Sequence, residues 1–203
     1  MDYRAYRLAM LALWLAWCVY WVASARGVKA TRQRESRLSR FSHVLPLALG
    51  VTLIIWPRLP AGWWSPRLLP HTELIYALAL ALVAIGLAFS VWARIYLGGN
   101  WSGTVTLKEG HELIRSGPYH YVRHPIYTGI LIALLGGAIA SGELRAVVGL
   151  VIVAAAFLRK LRVEESFMRE SFPADYERYR AEVPALIPFT KARRSAPRSA
   201  PPP

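Results

Sequence analysis

The chain has 203 residues, 55% of them hydrophobic and only 18% charged, with a mean hydropathy of +0.30. That balance excludes an ordinary soluble domain and points to a membrane protein. The net charge of +13 would suit a nucleic-acid binder, but the basic residues flank apolar runs, as juxtamembrane loops do, so no nucleic-acid partner is expected. The single cysteine, Cys18, rules out an intrachain disulfide and, lying in an apolar run, is expected to be a buried structural thiol.

In chain order, the first apolar stretch runs from Leu8 to Ala25. It is long enough to cross a bilayer and is rich in Trp and Tyr. No small-residue cleavage site follows a short core, so it reads as a retained transmembrane helix rather than a signal peptide. A weaker span covers Phe41 to Pro57, with Pro46 near its start and His43 at its edge. The clearest span, Leu74 to Ala93, carries no charge. Ile126 to Gly142 is apolar and contains Gly129, Gly136 and Gly137, small residues that allow close helix contact in lipid. Ala146 to Leu158 spans fully if Arg145 and Arg159 reach the interfaces; otherwise its cytoplasmic end lines a polar cavity. The short link SGELR between these last two runs predicts an antiparallel helical hairpin.

These elements predict an all-α polytopic bundle of about five transmembrane helices. With the N-terminus outside and the C-terminus cytoplasmic, 20 of the 25 Lys and Arg residues fall on the inner side and five on the outer. The expected organisation is residues 1–93 as N-terminal spans, 94–189 as a functional core, and 190–203 as a disordered, basic, proline-rich tail. Pro173 should break the last long helix and start another; Pro184 and Pro188 should end helix.

Two polar islands share the inner side: GPYHYVRHPIYTG, residues 117–129, with the loop before it, and LRVEES, residues 161–166. Polar groups near lipid need partners or a function. Gly117-Pro118 marks a turn, and Pro125 disfavours helix at His124 while suiting a first helical position. Arg123 and His124 should therefore sit just before a helix N-terminus, where free N–H groups favour an anion. Tyr127, on that first turn, could offer its ring to an adenine or its hydroxyl to a sugar. Tyr121 and His120 read as interface anchors, and Glu164 and Glu165 could equally be a solvated face. No Cys or second His pair completes a metal set, and neither phosphate-cradling nor dinucleotide glycine motifs occur. The residues alone reach a cytoplasm-facing pocket of Arg, His, Tyr and Glu, and no reaction.

The series GGNWS, EGHELIRSGPYHYVRHPIYTG and VEESFMRESFPADYERYRAEVPALIPF resembles the isoprenylcysteine carboxyl methyltransferase family over Arg94 to Phe189. Pro173 stands where that family usually has a glycine. The resemblance implies an integral membrane methyltransferase that uses S-adenosylmethionine in a cytoplasmic pocket, with a lipophilic acceptor arriving from the bilayer. It implies that His111, Leu113, Gly117, Tyr119, His124, Pro125 and Tyr127 shape the cofactor pocket, with Glu165, backed by Glu164, beside the cofactor. Arg162 and Arg123 become candidates to orient an acceptor carboxylate. Such an acceptor is already ionised at neutral pH, so alignment rather than a strong base is what the protein must supply. The Ala- and Arg-rich composition suggests a bacterial cytoplasmic membrane. Three alternatives stand: a methyltransferase acting on a lipid amine or small thiol, which would need a base; an NADPH-dependent enzyme like the membrane sterol reductases, which look similar around YVRHPIYTG; and a non-catalytic protein whose basic loops bind lipid or a partner.

Overall fold

The computed structural model describes residues 3–26, 28–56, 66–108 and 110–190. Six α-helices dominate: α1 (Tyr3–Ser24), α2 (Arg37–Ile55), α3 (Glu73–Leu97), α4 (Pro125–Ser141), α5 (Leu144–Ser171) and α6 (Pro173–Glu182). Three stretches are long and apolar enough to cross a membrane: Tyr3–Ser24, Arg37–Ile55 and Glu73–Asn100; Pro125–Ser141 is a shorter apolar helix. Residues 191–203, which hold nearly all of the expected tail, lie outside the described residues.

The helix ends follow local chemistry. Ser36 caps α2 by accepting from the N–H of Ser39, and Thr72 caps α3 by accepting from Ile75. Pro125 opens α4 and Pro173 opens α6, each at a first-turn position that has no N–H to lose. Gly142 closes α4 at φ 64°, a left-handed conformation that favours glycine. Pro46 lies inside α2 rather than at its start, and α5 runs unbroken from the apolar run into the polar segment.

Close packing depends on glycine pairs. A Cβ on Gly86 of α3 would sit 2.5 Å from the Gly129 carbonyl oxygen of α4, and one on Gly149 of α5 would sit 2.5 Å from the Gly50 carbonyl oxygen of α2. The two backbone pairs therefore touch, as the small residues predicted, and make α3–α4 and α2–α5 the principal helix contacts. By contrast α1 packs chiefly on α3, and its most apolar window has no residue buried within the protein. Trp17 Nε1 donates to Ser90 Oγ at 2.8 Å, and Arg94 donates to the Ser24 carbonyl; together they tie α1 to α3. Cys18 on α1 is exposed and lines an open cavity beside Trp14, Trp17 and Trp21, correcting the expectation of a buried thiol.

A short antiparallel ribbon was not anticipated. It pairs β1 (Thr31–Arg34) with β2 (Thr106–Lys108). Beside it, Glu35 accepts the Val105 N–H at 3.3 Å and lies 3.5 Å from His43. Lys29 donates to Asn100 at 3.0 Å and to the Gly110 carbonyl at 2.7 Å. The basic segment after α1 is thereby fastened to the loop that precedes the RHP stretch.

Candidate functional site

The polar islands meet where the N-terminus of α4, the C-terminal half of α5 and the segment after α6 converge. The main-chain N–H groups of Arg123 and His124 donate to the carbonyls of Pro184 and Ala185 at 2.9 and 3.0 Å. Thr128 Oγ1 donates to the Leu186 carbonyl at 2.7 Å, and Tyr179 donates its hydroxyl to the Tyr119 carbonyl at 2.6 Å. The two prolines that end helix after α6 thus free an extended strap that closes over residues 119–128.

Inside this clasp, Glu165 is buried and accepts from Arg123 through Nε at 3.0 Å and Nη2 at 2.6 Å. Arg123 Nη1 bonds the carbonyls of Arg180, at 3.3 Å, and Val183. The second oxygen of Glu165 faces Arg169 and Arg180, each at 3.6 Å. His124 lies between the two acids: Nε2 is 3.2 Å from Glu165 and Nδ1 is 3.5 Å from Glu164. Both ring nitrogens can donate only in the imidazolium. Tyr127 donates its hydroxyl to Glu164.

The charge states follow from this arrangement. Burial alone would lower the His124 pKa, but the Glu164 and Glu165 carboxylates outweigh it and hold it above the ordinary value. Burial would raise Glu165, yet His124 and Arg123 prevail and hold it at about 2. Glu164 is likewise lowered by His124, Lys160 and Tyr127 acting against burial. Burial pushes the Tyr119, Tyr176 and Tyr179 hydroxyls up, leaving them neutral donors.

This network forms one wall of a cavity of about 1070 Å³. Of the sequence-predicted residues, His111, Leu113, Tyr119, Arg123, His124, Tyr127 and Glu164 line it. Glu165 stands just behind, tying Arg123 to His124. Gly117 and Pro125 act through the backbone: Gly117 takes φ +59°, with a Cβ position 2.5 Å from the Tyr96 ring, and Pro125 is buried at the start of α4. Arg162 is exposed and does not line the cavity. The Tyr127 ring stacks between His124, with centroids 5.7 Å apart, and Phe157, at 4.7 Å. Since its hydroxyl is also engaged, neither handle expected for an adenine or a sugar is open. The two acids are not a solvated face. From the polar wall the cavity continues past Phe157, Ile54, Val51 and Leu47 to Trp14 and Trp17 of the loosely held α1.

Two contributors were missed in the sequence. Lys160 lines the cavity one turn before Glu164, its Nζ 5.2 Å from the Tyr127 ring centroid. Thr106, on the unanticipated ribbon, also lines it, and its buried Oγ1 has no hydrogen-bond partner among the described residues.

The family model for phospholipid methyltransferases matches residues 74–175. Among curated relatives, the chain is 26% identical over 140 residues to protein-S-isoprenylcysteine O-methyltransferase B of Arabidopsis thaliana, covering 68% of this chain and 66% of that one. It is 32% identical over 114 residues to the protein-S-isoprenylcysteine O-methyltransferase of Schizosaccharomyces pombe, covering 55% and 48%. It is 29% identical over 155 residues to the cobalt-zinc-cadmium resistance protein CzcN of Cupriavidus metallidurans, covering 75% and 63%. The matches span about half to two thirds of these relatives' own lengths.

Proposed function

The chain belongs to the phospholipid methyltransferase family, and from that premise we propose that it is an integral membrane enzyme transferring a methyl group from S-adenosylmethionine to a lipophilic carboxylate. The observation that carries this reading is the joining of two environments in one cavity: a wall of buried, paired charge at one end and an apolar passage toward α1 at the other. A volume of about 1070 Å³ sits at the top of the roughly 300–1,000 Å³ range of small-molecule sites. That leaves room for a polar donor and part of an acceptor chain.

The residues fit the donor. Thr106 lines the cavity and its buried Oγ1 has no partner among the described residues, and the Glu164 carboxylate gives a cationic group a counter-charge. His111, Leu113, Tyr119, His124 and Glu164 would hold it, while Tyr127, bonded to Glu164, and Gly117, Pro125 and Glu165 fix the backbone and side chains that do so. When bound, S-adenosylmethionine supplies an electrophilic methyl group on a sulfonium. Arg123, locked by Glu165 and two carbonyls, braces the wall rather than reaching a ligand.

The same geometry bears on the acceptor. An amine or thiol must lose a proton, and His124 would be the natural base. As an imidazolium between two carboxylates it has no lone pair to offer. A carboxylate needs no base, so this network suits it better. The partners of this reading are a lipophilic acceptor arriving from the bilayer and the lipids around it. We place five spans in the membrane, counting α4 and the first part of α5, with the site facing the cytoplasm of a bacterial inner membrane. Residues 1–93 then hold the first three spans, and 94–189 the transferase core.

The test is S-adenosylhomocysteine binding to detergent-purified wild type, His124→Ala and Glu165→Gln, with NADPH as the competing cofactor. A saturating ligand at 100 times its Kd adds about 2.7 kcal/mol of stability. Wild type should gain that with S-adenosylhomocysteine and not with NADPH, and both variants should lose it. Undiminished binding in both variants would sink the site assignment.

A further inference from the structure

Along α5 the cavity is lined by Phe157, Lys160, Glu164 and Met168. Spacings of three, four and four residues put them in a single stripe on one helix face. Read toward the cytoplasm, the stripe is apolar, cationic, anionic, then apolar. Phe157 belongs to the cluster that also holds Ile54 of α2, so the apolar passage arrives at Lys160. Glu164 belongs to the network with His124 and Tyr127.

Lys160 differs from the other cations of the cavity. Arg123 is held by Glu165 and two carbonyls. Arg67 and Arg145, beyond the apolar passage, share Glu143. Arg7 lies over the Tyr3 ring at that same far end. Among the described residues, the Lys160 ammonium lies over the Tyr127 ring and makes no contact ion pair with a carboxylate, although it is near enough to Glu164 to help keep that acid ionised.

We propose that Lys160 binds the ionised carboxylate of the acceptor and, with Glu164 one turn further on, sorts the two ligands by charge. This rests on the methyltransferase reading above and narrows its substrate class to anionic acceptors. The ammonium draws the acceptor anion to the mouth of the apolar passage and repels the donor's sulfonium. The Glu164 carboxylate does the reverse. Opposite preferences one helical turn apart, about 6 Å at 1.5 Å per residue, seat the two reactants in order along the stripe. An acceptor oxygen then bonds to the methyl carbon as the carbon–sulfur bond breaks. The electron pair stays on sulfur, which becomes a neutral thioether, and no proton moves. A protonated lipid amine would meet a like charge at Lys160.

Two lipophilic carboxylates, N-acetyl-S-prenylcysteine and palmitate, and their neutral carboxamides test this by titration against the tryptophan fluorescence of the full chain in detergent. Trp14 and Trp17 lie in the cavity and report occupancy. S-adenosylhomocysteine binding is measured on the same samples by calorimetry. Wild type should prefer at least one carboxylate over its amide by about tenfold or more, the scale of one charge-assisted contact. Lys160→Met should lose that preference while binding S-adenosylhomocysteine as wild type does, and Lys160→Arg should keep most of it. No preference in wild type, or a preference that survives Lys160→Met, overturns the proposal. So does a loss of S-adenosylhomocysteine affinity in Lys160→Met, which would give the lysine to the donor. If wild type binds no S-adenosylhomocysteine, the methyltransferase reading itself falls and takes this one with it.

Discussion

Each ring nitrogen of His124 faces a different carboxylate, and that arrangement sets how the site responds to pH. Glu165 has its pKa depressed to about 2, so its contribution to stability is complete above the ordinary carboxylate value and is lost as pH falls toward 2. His124 has its pKa raised, so its contribution is complete below about 6.5 and is lost as pH climbs through the higher folded value. The two limits bound a plateau from about pH 4.5 to about 6.5, above which stability declines toward the raised histidine value. Thermal unfolding of the detergent-solubilised chain should show that plateau. Glu165→Gln should shrink the acid limb to the part that belongs to Glu164 and lower stability by about 3–5 kcal/mol, because it leaves the Arg123 guanidinium buried without its counter-ion. An acid limb that persists unchanged in Glu165→Gln would assign it to another carboxylate.

At the scale of elements, the fold depends on two places where helix backbones meet. A Cβ on Gly149 would come within 2.5 Å of the Gly50 carbonyl and 3.0 Å of the Leu53 and Ile54 side chains. Gly149→Val should therefore force α5 off α2. The expected cost is about 1–3 kcal/mol, seen as a lower unfolding temperature. Because α5 carries Phe157, Lys160 and Glu164, S-adenosylhomocysteine affinity should fall with it, although no residue of the cavity has changed. Affinity unaltered by a measured loss of stability would mean that the site does not depend on the α2–α5 contact. This scale also separates what the sequence revealed from what it hid. Pro125, Pro173 and Gly142 mark helix ends through local backbone chemistry, so those boundaries could be read directly. The pairing of Gly86 with Gly129 could be anticipated only as a tendency, since the partner lies on another helix. The ribbon of residues 31–34 with 106–108 joins segments far apart in the chain, each too short to show a periodic pattern. Helical phase decides the basic residues: Lys160 falls on the stripe of Phe157 and Glu164, whereas Arg162, two residues on, points away and is exposed. Once α5 is known to run unbroken from Leu144 to Ser171, that distinction follows from the sequence. Before that, either residue could have faced the site. The exposure of Cys18 rests on how α1 docks, which its uniformly apolar surface does not encode.

At the scale of the whole molecule, the outward faces of the helices are apolar. Leu8, Leu11 and Leu15 on α1, Leu45 and Leu49 on α2, Ile85 on α3 and Val151 on α5 are all exposed. Lipid accounts for such a surface, where water would not. Which way the bundle sits then follows from charge. Positive charge is retained on the cytoplasmic side, so the end bearing Arg123, Lys160, Arg169 and Arg180 should face the cytoplasm. The opposite end, with Leu68 exposed in the segment before α3, should face outward. Asp175 sits in the first turn of α6, 59% exposed, beside the proposed site. In a Cys18→Ser background, a cysteine at Leu68 should react with a membrane-impermeant maleimide on intact cells. One at Asp175 should react only after permeabilisation. The converse pattern would invert the molecule and put the donor pocket on the outer face. Labelling of both positions on intact cells would mean that the five-span count is wrong, since the three crossings between Leu68 and Asp175, by α3, α4 and the first part of α5, are what put the two positions on opposite sides.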